Sequence, residues 1–134
     1  VGRKVSDGKA FNLTVPAGKA VSDYELYRIS GINGVAIGEV AVADTARTLA
    51  FEADPAAVYS IHIPSGVNPA PGDVLYWAAP STNFQDGAVN LQTTPGSGHG
   101  GAQPCFFVTE SRSQDPDGNY VLRGRVLNGT GTGS

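Results

Sequence analysis

Two stretches, three single residues and a pair of arginines carry groups that could do chemistry. Gly96-Ser-Gly-His-Gly-Gly101 is the kind of run whose backbone N–H groups can cradle a phosphate. That chemistry needs a Gly-Lys-Ser/Thr ending at a helix N-terminus, and no lysine follows here. Gly8-Lys9-Ala10 and Gly18-Lys19-Ala20 lack both the hydroxyl residue and the upstream glycine. Nucleotide binding therefore fails on its own required parts. Asp115-Pro-Asp-Gly-Asn119 places carboxylates at alternate positions, which suits a hard cation such as calcium. The acidic residue that should close such a loop is missing, because the chain runs into Tyr120-Val-Leu-Arg-Gly-Arg125. A hairpin turn explains the same letters.

His62 and His99 are the only histidines, and Cys105 is the only thiol. A thiol–imidazole nucleophile pair or a metal site would draw on them. Alternation puts His62 on the polar face of a strand and His99 in a glycine-rich loop, with no cluster at ligand spacing. Cys105 beside Phe106 reads as core. No nucleophile elbow or acid–base pair is present, so the expectation is no enzyme, no cofactor and no metal. Arg123 and Arg125 differ, since at i, i+2 both guanidinium groups leave one strand face about 7 Å apart. Two readings stand: contact with carboxylates of a partner or a second copy, such as Glu25 or Glu39, or two solvated arginines.

The elements that would position these residues are short strands. Phe11, Leu13 and Val15 alternate with polar or small residues up to the Pro16-Ala-Gly18 turn. Tyr24–Ile29 predicts a second strand, broken by Gly31–Gly34, and Val35–Val42 a third. Ala43–Arg47 is open between a helical turn and coil. Thr48–Glu52 and Val58–Ile63 read as a hairpin about Asp54-Pro55, with Tyr59, Ile61 and Ile63 on one face and Ser60 and His62 on the other. Pro69-Ala-Pro-Gly-Asp73 leads into Val74-Leu-Tyr-Trp77, a strand apolar on both faces. Asp86-Gly87 has the form of a tight hairpin turn before Val89–Thr93. Cys105–Thr109 and Tyr120–Leu127 complete the set. In the last, Tyr120, Leu122, Gly124 and Val126 point inward.

The 134 residues suit one domain: an arm over 1–7, a β domain over 8–128 and a tail over 129–134. Asn128-Gly-Thr130, at the tail junction, matches the glycosylation sequon but reads as tail sequence. Charged residues are only 16%, against about 25% in ordinary domains, which suggests that surface meets other protein. A net charge of -3 gives no electrostatic reason to expect nucleic acid. No apolar run approaches the roughly 20 residues of a membrane helix, and the polar, basic N-terminus lacks the apolar core of a signal peptide. With 18 glycines and 9 prolines punctuating eight or nine short strands, the fold class is all-β. The architecture is a small β-barrel or β-sandwich, tulip-like, with long Gly/Pro-rich loops.

The order of segments resembles the bacteriophage capsid cement, or head decoration, family. Four stretches carry the likeness: Val15–Gly18, Gly31–Ile37, Pro71–Trp77 and Val121–Gly129, spread over about residues 5–129. The stretch between Glu39 and Ile63 and the loops at Thr94–Gln103 and Ser111–Asn119 are longer than the pattern, so no interface residues are carried over there. The resemblance implies a structural virion protein, made in the host cytoplasm, that binds the outer surface of the assembled head. The major capsid protein would be its partner, with itself as a homotrimer or alternatively a dimer, and neither nucleic acid nor membrane. It brings no catalytic residues. In that setting the interface residues expected are Arg3, Lys4 and Val5 of the arm, Tyr76 and Trp77 of the two-faced strand, and Arg123 and Arg125. Of Tyr76 and Trp77, Trp77 is the one expected to face outward. The rival reading is a host-surface or carbohydrate-binding module on the virion, stacking sugars on Tyr27, Trp77 or Phe84.

Overall fold

A computed structural model describes residues 10–78, 84–96 and 103–128. The arm with Arg3, Lys4 and Val5, the loop position His99 and the tail over 129–134 lie outside the described residues. The chain is all-β, as expected, and its eleven short strands among the described residues form two antiparallel sheets. One of the two is a half-barrel. The first holds β1 (Ala10–Val15), β2 (Leu26–Ile29), β3 (Ile32–Ile37), β4 (Arg47–Glu52) and β7 (Phe84–Asp86), in the order β1-β4-β3-β2-β7. The second holds β5 (Tyr59–Ile63), β6 (Val74–Trp77), β8 (Leu91–Gln92), β9 (Pro104–Val108), β10 (Ser113–Gln114) and β11 (Tyr120–Val126). In it β11 is central, with β5 on one edge and β9 and β10 on the other.

Two apolar cores share one wall. Leu26 of β2 and Val35 of β3 face a core built with Trp77, Phe106, Leu75, Ile61 and Leu122. Tyr27, Ile29 and Ala36 of the same two strands face a second core with Phe51, Leu13 and Val15. All four residues of β2 are buried. The strand buried on both faces is therefore β2, not the Val74–Trp77 strand to which the run of apolar letters points. In β6 only Leu75 and Trp77 are fully buried, while Val74 and Tyr76 are half-buried on the opposite face. Trp77 is 0% exposed and donates its indole N–H to Asn33 Oδ1 at 2.9 Å. The expectation that Trp77 faces outward is thus corrected: a buried amide across the core takes its N–H, and Tyr76 holds the outer face.

Three local expectations also change. β4 and β5 form no hairpin, because β5 crosses to pair with β11. Its Tyr59, Ile61 and Ile63 belong to the Trp77 core, whereas Phe51 of β4 belongs to the other. Asp54 still makes the turn, accepting the Ala56 N–H at 3.0 Å. Asp86-Gly87 is not a hairpin turn either; Asp86 accepts the Ala88 N–H at 2.9 Å and caps the single-turn helix α1 (Gly87–Asn90). A Cβ at position 87 would stand 2.9 Å from the Leu26 carbonyl oxygen, so glycine lets α1 sit against β2. Finally, Ser30 and Gly31 alone make the break after β2, with φ of 52° and 84°, and Asn33 and Gly34 lie inside β3.

The wall contains an unexpected cation. Arg28 is 4% exposed, directly opposite Asn33 and Gln85 in the ladder. Its Nη1 reaches Asn33 Oδ1 only at 3.4 Å, and its Nε has no hydrogen-bond partner. Burial pushes its pKa down. Removing a poorly compensated buried charge and filling its volume is often neutral or better. Arg28→Met is expected to leave unfolding stability unchanged or raise it by about 1 kcal/mol, measured by urea titration. A loss beyond about 2 kcal/mol would show the guanidinium holding the wall together.

Candidate functional site

The outer face of the second sheet follows from strand alternation. β11 sends Leu122, Gly124 and Val126 into the core and leaves Arg123 and Arg125 exposed, as their spacing predicts. Across the ladder Arg125 stands opposite Phe107, and Phe107 opposite Val74, so the three form one row on that face. Phe107 and Val74 are half-buried, as is Tyr76 further along β6 opposite Gln92. Arg123 pairs with Glu110 at 3.7 Å, both side chains more than half exposed, which is worth little in water. Among the described residues Arg125 makes no ion pair.

The outcome is an apolar row with an exposed guanidinium at its end. Such a row can bury area against another protein while the arginine meets a carboxylate. Of the expected interface residues, the structure brings Tyr76, Arg123 and Arg125 to one face and removes Trp77 from it. Phe107 was not among those expectations. The signal for it was present in Phe106-Phe107, since adjacent residues of a strand cannot both point inward.

Among the described residues, Cys105 and His62 share no hydrogen bond. Cys105 is buried, donates to the Leu75 carbonyl at 3.3 Å, and burial pushes its thiol pKa far up. The Asp115–Asn119 stretch is a turn closed by its own aspartate: Asp115 Oδ1 accepts the N–H groups of Asp117 (3.0 Å) and Asn119 (2.9 Å). Two of the three aromatics proposed for sugar stacking are inside. Tyr27 and Trp77 are buried, and Phe84 lies half-buried against the Tyr27 ring with centroids 5.5 Å apart.

A polar cluster that the sequence did not reveal joins the sheets near a cleft of about 150 Å³. His62 of β5 holds Glu25, just before β2, by its backbone N–H (2.7 Å to Oε1) and by Nδ1 against Oε2. Its Nε2 lies 3.2 Å from Asp115 Oδ2. Burial pushes the Glu25 carboxyl up, and the His62 contacts pull it back only in part. Burial opposes charge on His62, but the Glu25 and Asp115 carboxylates outweigh it and raise its pKa. For Asp115 desolvation is outweighed by the Asn119 N–H, His62 and the Asp117 N–H, which hold it low. Tyr24, on the rim of the cleft, is 57% exposed with φ of 60°, a costly conformation for a non-glycine residue. The two carboxylates sit on opposite sides of the ring. Among the described residues no group of three or more His, Cys, Asp or Glu side chains can hold a metal ion.

No protein-family model matches the chain, and no curated protein matches it. Among the described residues no helix is long and apolar enough to cross a membrane.

Proposed function

We propose that this chain is a cement protein, binding the outer surface of a phage head and stapling neighbouring major capsid subunits. The four segments resembling head decoration proteins support the reading. So does the outer face of the second sheet, which is the observation that carries it. Val74, Phe107 and Tyr76 offer apolar area beside Arg125, on a rigid sheet whose other side is packed core. Cementing needs no catalytic group. Each copy adds a contact whose loss would re-expose apolar surface, at about 25 cal/mol per Å², and the effect repeats over many sites on a shell. A homotrimer suits such a role, since positions of local three-fold symmetry offer three equivalent docking surfaces.

Co-sedimentation with expanded, decoration-free heads tests this. The wild-type chain should bind and raise the temperature at which heads rupture. The double variant Tyr76→Ala/Arg125→Glu should bind at least tenfold more weakly, about 1.4 kcal/mol, with its own unfolding unchanged. Equal binding by the variant would remove this face from the mechanism. No binding by the wild type would overturn the reading itself.

A further inference from the structure

Both ring nitrogens of His62 meet a carboxylate, Nδ1 at Glu25 and Nε2 at Asp115. A neutral imidazole carries one N–H, so in either tautomer the other nitrogen would turn a lone pair toward a carboxylate oxygen. Only the imidazolium donates on both sides. The three residues come from separate parts of the fold: the entry to β2 in the first sheet, β5 in the second, and the turn between β10 and β11. We propose that His62 is a proton-operated pin: charged, it ties the first sheet to the Asp115 turn, and on losing its proton it releases the turn.

The turn is the side that lets go. Glu25 receives two bonds from His62, one of them from the backbone, and is almost wholly buried. Asp115 receives only the 3.2 Å contact from the ring, and its other oxygen is already occupied by the turn's own N–H groups.

Among the described residues, the charges that act on the ring are the two carboxylates. Asp23, Tyr24 and Glu25 face it across the cleft, and Asp86 adds its charge to the environment of Glu25. From β11, Val121 stands opposite His62, while Arg123, opposite Ser60, is drawn toward Glu110. The helix α1, packed against β5, has no titratable side chain in Gly87–Asn90. Asp117 belongs to the turn itself.

The sign follows from the raised pKa of His62. Its contribution is complete below the unfolded value of about 6.5 and is lost as pH rises through the folded value. Asp115, held low, contributes above about 3.9 and loses its contribution as pH falls through its folded pKa. Uptake of a proton by Glu25, whose pKa is raised, removes the charge from the other tie. The pin is closed in mildly acidic solution and opens toward alkaline pH, whether or not the chain decorates a shell.

NMR of the full chain between pH 4 and 9 tests it. The His62 ring should titrate above 6.5, and Glu25→Gln should lower that midpoint. Over the same range the Asp117–Asn119 amides, corrected for intrinsic exchange, should lose protection several-fold. In His62→Gln that protection should no longer depend on pH. A ring midpoint at or below 6.5, or turn protection constant through the titration, would overturn the proposal.

Discussion

Gly124→Ala is expected to abolish the second sheet. Gly124 sits in β11 with Tyr59 of β5 on one side and Val108 of β9 on the other. A Cβ there would overlap the Phe107 carbonyl oxygen outright and come within 2.6 Å of Phe106 Cε2. The oxygen belongs to the backbone of a paired strand, so no rotamer change relieves the overlap. β9 must move away from β11, and the core around Phe106 and Trp77 opens with it. The expected loss is more than about 4 kcal/mol, much of the 5–15 kcal/mol that holds a typical domain together. Circular dichroism and urea unfolding report it, with Gly66→Ala as the control, since a Cβ at position 66 meets nothing within 4 Å. A melting temperature for Gly124→Ala within a few degrees of wild type would sink the argument.

Asn33→Ala is the second large effect. Its side chain accepts from the Trp77 indole (2.9 Å) and from Arg28 (3.4 Å), and donates to the Leu127 carbonyl (2.8 Å). Alanine leaves a buried indole N–H and a carbonyl unpaired and isolates the guanidinium further. At about 1–3 kcal/mol for each buried group left without a partner, the loss should be about 3–5 kcal/mol. Trp77→Phe serves as the second arm of a double-mutant cycle, and its cost should shrink by about 1 kcal/mol or more in the Asn33→Ala background. Additive losses would mean that the indole bond contributes nothing.

How much of this was legible depends on where the deciding partner lies along the chain. Strands with one wet face read correctly. The inward set Leu122, Gly124 and Val126, the outward pair Arg123 and Arg125, and the split of Tyr59, Ile61 and Ile63 from Ser60 and His62 all follow from period two alone. Strands without a wet face read badly. Arg28 and Asn33 are polar letters in a doubly buried wall, so β2 and β3 look half-exposed and Gly31–Gly34 looks like a break. The orientation of Trp77 turned on an amide 44 residues away, and local apolarity carries no trace of it. His62 looked like an ordinary strand histidine because its carboxylates lie 37 and 53 residues off. Pairings of that range come from sheet topology, which a single sequence does not print. The interface face fell between these cases. Its arginines followed from spacing, while Phe107 needed the cross-strand register to place it beside Arg125 and Val74.

The position of β11 has a consequence for how the chain reaches this fold. β5, β9 and β10 all pair with it, and β6 joins the sheet through β9. Just beyond it the Asn128 amide clips onto the backbone of Asn33, accepting its N–H at 2.8 Å and donating to its carbonyl at 3.0 Å, across 95 residues of chain. Until the stretch Tyr120–Asn128 is in place, β5 has no strand partner among the described residues, and the core that Tyr59, Ile61 and Ile63 share with Leu122 and Val126 is incomplete. The pairing of β5 with β11 joins segments more than fifty residues apart, as does that of β2 with β7 in the first sheet. Loops of that size must be ordered before their contacts compensate, which makes assembly slow and leaves an intermediate with an open core. A chain cut before β11 would keep the pairings of β6 with β8 and β9 but leave β5 and β10 without a strand partner and the apolar core open along that side.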